Sequence, residues 1–227
     1  MIREHKFVSG CTTPDAVLSV LRAFCKPDGA YPEGDLESIY FDDPMLTSYW
    51  EKANGDSLKR KVRIRWYHGE KASAGEVNAF FEIKDRIGAA RDKFRYRFKA
   101  PVDVLLKDEF ASSGLIEIAH AVACKAGVPM NGGLVPLVAI RYNRCRFLCP
   151  QTGSRVNVDW NIRVTRANRD IFPYPTPVGC PMIVCEAKSD TFRTWPFCAD
   201  LMRLGFRMES FSKYGYLVGK LLQGGFI

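Results

Sequence analysis

The feature that most constrains this chain is the stretch at residues 61–67, Lys-Val-Arg-Ile-Arg-Trp-Tyr, which alternates cations with large apolar side chains. Successive side chains of a strand point to opposite faces, so Lys61, Arg63 and Arg65 share one face while Val62, Ile64 and Trp66 share the other. The pattern recurs along the chain. Residues 3–8 carry Glu4 and Lys6 on one face, and residues 76–85 carry Glu82 and Lys84 beside Phe80. Residues 93–99 set Lys93, Arg95, Arg97 and Lys99 against Phe94, Tyr96 and Phe98. Residues 155–166 set Arg155, Asn157 and Asp159 against Val156, Val158 and Trp160, and residues 182–188 pair Glu186 with Lys188. With residues 36–42 and 134–148 these make about eight strand candidates joined largely by turns, which predicts an antiparallel sheet system. Helices are predicted where apolar residues recur at helical spacing, as at Val17, Leu18, Leu21 and Phe24 behind a cap at Thr12, Thr13 or Asp15. Others are expected near residues 44–53, 102–107, 115–126, 195–204 and 214–222.

Alternation alone permits two architectures. The sheet can pack its apolar face on a core and show the basic face to water, or it can close so that the charged faces line an interior. Clustered cations raise one another's free energy unless anions compensate, and Glu4, Glu82 and Glu186 are few against so many bases. An enclosed version therefore calls for a polyphosphate-like ligand, for which Arg provides bidentate forks and Lys point charges. The overall balance agrees: 33 Lys and Arg against 25 Asp and Glu leave a net charge of +8 and a pI near 9.1, suited to a polyanionic partner.

Other chemistries find little support. Neither GxxxxGK[ST] nor GxGxxG occurs, so no familiar phosphate-binding glycine loop is present. His5, His68 and His120 signal no nucleophile pairing. The 8 cysteines are scattered, and the spacing of Cys145 and Cys149 with Cys180 and Cys185 lacks a zinc knuckle. No apolar run approaches a membrane span and the N-terminus lacks a signal-peptide core, which predicts a cytoplasmic protein without a membrane segment.

Taken together, the strand signatures resemble the VTC (vacuolar transporter chaperone) domain, the polyphosphate polymerase branch of the triphosphate tunnel metalloenzymes. The residues carrying the resemblance are Glu4-His5-Lys6-Phe7, Ile39-Tyr40-Phe41-Asp42, Arg63-Ile64-Arg65-Trp66-Tyr67, Phe81-Glu82-Ile83-Lys84, Tyr142-Asn143-Arg144, Arg155 with Asp159, Glu186-Ala187-Lys188 and Ser212-Lys213-Tyr214, in the family's order. The related adenylate cyclase and thiamine triphosphatase branch opens with Glu-x-Glu-x-Lys; here position 2 is Ile2, which favours the VTC branch.

The resemblance implies an α+β fold, an antiparallel tunnel closed as a barrel of about eight strands, with flanking helices and a C-terminal helix near the tunnel. Residues 1–227 are expected to form a single such domain. The implied activity is ATP-dependent polyphosphate polymerase, transfer of the γ-phosphoryl of ATP to a growing inorganic polyphosphate chain with Mn²⁺ or Mg²⁺. Lys6, Arg63, Arg65, Lys84, Lys93, Arg144, Arg155, Lys188 and Lys213 would bind phosphates, and Glu186 would hold the metal. Arg63, Arg65, Lys84, Glu186 and Lys213 would carry the transfer, with phosphate, pyrophosphate or the polymer end as acceptor. Two alternatives are a tripolyphosphatase or nucleoside triphosphatase using the same residues, and a non-catalytic module binding polyphosphate or RNA. Nucleic acid is disfavoured because Phe94, Tyr96 and Phe98 lie opposite Arg95 and Arg97 instead of beside them.

Overall fold

The structure is a computed structural model that describes residues 3–69, 74–88, 90–107, 110, 113–128, 130, 132–189 and 194–224. In chain order the elements are β1 (Arg3–Ser9), α1 (Pro14–Phe24), β2 (Lys26–Pro27), β3 (Glu33–Asp42), α2 (Thr47–Ala53), β4 (Leu58–His68), β5 (Glu76–Ile87) and β6 (Ala90–Pro101). There follow α3 (Val102–Leu106), α4 (Ser113–Lys125), β7 (Val135–Cys149), β8 (Ser154–Ala167), β9 (Gly179–Cys180), β10 (Ile183–Ser189), α5 (Cys198–Arg203), β11 (Arg207–Met208) and α6 (Lys213–Leu222). None of the described helices is long and apolar enough to cross a membrane.

The 11 strands of the described residues belong to one sheet, in the order β11-β1-β10-β8-β7-β3-β4-β5-β6, with β2 paired to β7 and β9 to β8. The expected closed barrel is not what forms. The sheet is antiparallel and open, with helices flanking it, and its ends are β11 and β6. The ends explain why. β11 is two residues long, and β6 carries Arg91, Lys93, Arg95, Arg97 and Lys99 along its length; short strands and charged strands are the usual means of keeping an edge from pairing further. Inside-outside alternation is identical in open and closed sheets, so the sequence pattern could not tell them apart.

The chain divides into two compact units. The first comprises Met1–Asp35, Tyr142–Ile162 and Gly179–Ser212. Its helix α1 starts as the sequence requires: Thr13 Oγ1 accepts from Ala16 N at 3.3 Å, and Pro14 takes the first helical turn, where no N–H is needed. The apolar stripe Val17, Leu18 and Leu21 is buried against Phe7, Val156, Val158, Ile183 and Trp195. Burying each such aliphatic side chain contributes about 1.5–3 kcal/mol. The one polar atom of Trp195 is satisfied, its Nε1 donating to Ser154 Oγ at 2.8 Å.

The second unit comprises Leu36–Arg141, Arg163–Val178 and Lys213–Ile227. Here Val62, Ile64 and Trp66 of β4 join Phe81 and Ile83 of β5 in a core with Leu105, Phe110, Leu115 and Ala119 from the α3–α4 region. This apolar packing settles which face of the β4–β5–β6 ribbon is inside the core, and it leaves the opposite face to the cations.

Candidate functional site

On the ribbon's other face, antiparallel register stacks side chains in rows. Lys61 lies opposite Lys84, which lies opposite Lys93; Arg63 lies opposite Glu82, which lies opposite Arg95; Arg65 lies opposite Phe80, which lies opposite Arg97. Lys59, Arg86 and Arg91 extend the same face by another row. Like charges directly opposite each other destabilise a sheet, so the three adjacent lysines carry a cost that the Lys93–Glu82 pair offsets at one end of the row.

The carboxylate buried within these rows is Glu82, which is 1% exposed. Its Oε2 accepts from Arg63 Nε at 2.7 Å, with Arg63 Nη2 at 2.5 Å and Arg65 Nη1 at 3.7 Å. Its Oε1 faces Lys93 Nζ at 2.9 Å and Arg95 Nε at 3.5 Å. Burial works against the charge on Glu82, yet Arg63, Arg65 and Lys93 outweigh it and hold the carboxyl far below the usual carboxylate range. Lys93 is shifted down, burial being the largest cause despite the attraction of Glu82. One carboxylate therefore gathers four cations into a preassembled positive patch.

The arginines are held from behind. Arg63 Nη1 donates to the Tyr40 hydroxyl at 2.9 Å, and Arg65 Nε donates to Ser38 Oγ at 3.0 Å. Tyr40 stacks on Tyr214, ring centroids 5.1 Å apart, and the Tyr214 hydroxyl donates to Asp42 Oδ2. Asp42 also accepts from the backbone N–H of Ser48 at 2.9 Å and of Tyr49 at 3.1 Å in the first turn of α2. A single buried carboxylate thus caps α2 and anchors α6. Lys213, the first residue of α6, is half-buried, and its charge acts on Tyr40 together with those of Arg63 and Arg65.

The first unit carries its own charged cluster. Register sets Glu4 against Lys188 and Lys188 against Arg155, and in the next row Lys6 against Glu186 and Glu186 against Asn157. Lys188 Nζ lies 3.0 Å from Glu186 Oε1 and 3.3 Å from Glu4 Oε2. Although burial favours loss of its proton, Glu186 and Glu4 raise Lys188 above its ordinary value. Lys6 Nζ donates to Phe211 O at 2.9 Å and lies 3.4 Å from Glu4 Oε1. Arg155 is exposed.

Two carboxylates converging on one ammonium form a small, hard-oxygen, cation-holding seat. Were a divalent cation bound here, Glu4 and Glu186 would be its carboxylate donors. Among the described residues there is no group of three or more His, Cys, Asp or Glu able to hold a metal ion.

Arg144 directs its fork at Asp159, Nε to Oδ1 at 2.5 Å and Nη2 to Oδ2 at 2.7 Å. Burial opposes the Arg144 charge, and Asp159 more than restores it. Replacing Asp159 by Asn removes the countercharge but retains an acceptor; a loss of about 2–3 kcal/mol in urea-unfolding stability is expected.

The residues singled out from the sequence thus fall into two sets. Arg63, Arg65, Lys84, Lys93 and Lys213 lie in the second unit, and Lys6, Arg144, Arg155, Glu186 and Lys188 in the first. Sequence reasoning named Glu4 and Glu82 as compensating anions but gave no site role to them or to Arg95, Asp159 and Tyr40. Glu82 and Tyr40 both stood in motifs quoted above. What they touch, however, is settled by neighbours far along the chain.

The chain belongs to the VTC domain family, whose match spans residues 17–221. Its fold is shared with a candidate adenylate cyclase from Vibrio parahaemolyticus, at 12% identity and a TM-score of 0.52, covering 96% of this chain and 97% of that one. A candidate adenylate cyclase from Bacillus halodurans is similar at 11% identity and a TM-score of 0.50, covering 93% and 92%. No curated protein matches the chain.

Proposed function

We propose that the protein is a polyphosphate polymerase that transfers the γ-phosphoryl of ATP to the end of an inorganic polyphosphate chain. Membership in the VTC family supports the reaction. The observation that carries substrate class is the Lys61–Lys84–Lys93 row beside the Arg63–Glu82–Arg95 row, a face whose repulsion a chain of phosphoryl groups relieves. Arg63 and Arg65, fixed by Glu82, Tyr40 and Ser38, align phosphoryl oxygens; Lys84 and Lys93 neutralise charge along the chain; Lys213 counters charge on the transferring group. In the first unit, Lys6, Arg144, Arg155 and Lys188 are phosphate ligands, and Glu186 with Glu4 holds Mn²⁺ or Mg²⁺. When bound, the metal neutralises phosphate oxygens.

Incubating the protein with ATP and Mn²⁺ and resolving products on a gel tests the reading. A ladder of long polymer is expected; free phosphate alone would mean that water is the acceptor and the protein a hydrolase. Glu186→Gln is expected to lower metal-dependent turnover by about 100-fold, in line with the loss of one charged transition-state group. Undiminished polymer formation by that variant would remove Glu186 from the metal site.

A nucleic-acid module is less well supported. The one aromatic in the basic rows, Phe80, has the Arg95 guanidinium 3.8 Å from its ring centroid and Tyr67 edge-on at 6.2 Å, so its face is already covered and cannot stack a base.

A further inference from the structure

Tyr40 is 6% exposed, and its hydroxyl accepts from Arg63 Nη1 at 2.9 Å. Among the described residues its own proton has no acceptor. The cations whose charges act on it most, Arg63 and Arg65 on β4 and Lys213 on α6, can only donate. The Tyr214 hydroxyl stacked beside it donates to Asp42. On the other neighbouring strand, β7, the only charged residue within this unit is Arg141. A buried hydroxyl is ordinarily satisfied on both counts. An orphaned donor beside several cations marks the place of an acceptor anion.

We propose that Tyr40 is a direct ligand contact, its hydroxyl donating a hydrogen bond to an oxygen of the phosphoryl chain held by Arg63 and Arg65. This rests on the triphosphate reading above and adds a donor to it. Donation from Arg63 into the phenol oxygen polarises the O–H bond, and an O–H donor to an anionic oxygen makes one of the stronger hydrogen bonds available to a protein.

The electrostatics carry a signature. Burial pushes the Tyr40 phenol up, but the charges of Arg63, Arg65 and Lys213, with the Arg63 hydrogen bond, bring it down to about 8. A phosphate chain neutralises those cations and needs the proton for its own hydrogen bond. Binding therefore raises the phenol again, and the site takes up a proton at a pH above 8.

The test is a near-ultraviolet titration of phenolate absorbance on the full chain at about pH 9, with and without inorganic tripolyphosphate, for the wild type and Tyr40→Phe. The wild type is expected to lose one phenolate band on saturation. Tyr40→Phe is expected to lack that change and to bind tripolyphosphate about 10- to 100-fold more weakly. If a wild-type phenolate titrates near pH 8 and tripolyphosphate leaves it unchanged, or if Tyr40→Phe binds tripolyphosphate as tightly as the wild type, Tyr40 does not contact the ligand. If the wild type does not bind tripolyphosphate at all, both this inference and the triphosphate reading fall. The wild-type spectrum decides the matter even if the variant does not fold.

Discussion

Replacing Glu82 by Gln is expected to destabilise the protein by about 3–5 kcal/mol, more than any other single polar substitution considered above. The side chains of Arg63 and Arg65 are 11% and 8% exposed, so water cannot take over from the lost carboxylate. Lys93 and Arg95, at 46% and 41%, can turn outward and add little. The expected pH dependence follows from the direction of the shift. A carboxyl held below its ordinary 4.5 stabilises the folded state above that value. The contribution fades as pH falls toward the depressed value. Urea unfolding of the two proteins should therefore show a constant gap at neutral pH that narrows in acid. Inorganic tripolyphosphate should restore part of the variant's stability, because an anion bound to the folded state replaces the missing charge. A variant as stable as the wild type at neutral pH would mean that the four cations do not depend on Glu82.

Replacing Arg63 by Met is expected to lower ATP turnover by about 100- to 1,000-fold, the usual effect of removing one positioned donor from a charge-stabilising site. Arg63 is the residue on which the arrangement converges: Glu82 holds its Nε and Nη2, and Tyr40 holds its Nη1. Methionine keeps much of the stem's packing while removing the charge. Arg63→Lys should recover only part of the activity, since an ammonium preserves the charge but not the planar fork. Steady-state ATP consumption with tripolyphosphate affinity measured alongside separates the two contributions. Equal losses in turnover and in turnover per KM point to an interaction made in the transition state, whereas a rise in KM alone points to substrate binding. Turnover within about twofold of the wild type would place the reacting phosphates elsewhere.

Much of the local structure was legible. The period-two alternation at residues 61–67 and 93–99 correctly separated Val62, Ile64 and Trp66 from Arg63 and Arg65, because burial of one face of a strand leaves the other to polar groups. The spacing of Val17, Leu18 and Leu21 marked the buried stripe of α1 for the same reason at helical period. The short strands were harder: β2 lies in residues 26–34, whose two prolines and two glycines read as loop, and it forms by pairing with β7.

The site was legible as composition and illegible as connection. That Arg63, Arg65, Lys84 and Lys93 would share a face with a carboxylate follows from alternation. That Glu82 would be the hub, with Arg63 on one neighbouring strand and Arg95 on the other, depends on the registers of β4 on β5 and β5 on β6. The orphaned hydroxyl of Tyr40 is a further step removed, since it depends on Arg63 from β4 and on Tyr214, which is 174 residues away in the chain.

By itself, then, the sequence determined which side of each strand is charged and which is apolar, and with that the basic face on which the proposed polyanion binding rests. Only the tertiary structure decided that the sheet stays open, that Glu82 gathers four cations and that Asp42 ties α2 to α6. Alternation is a property of one strand's own geometry, set residue by residue. Edge pairing, register and the partners of a buried carboxylate are set by which distant strand lies alongside, and no local pattern encodes that choice.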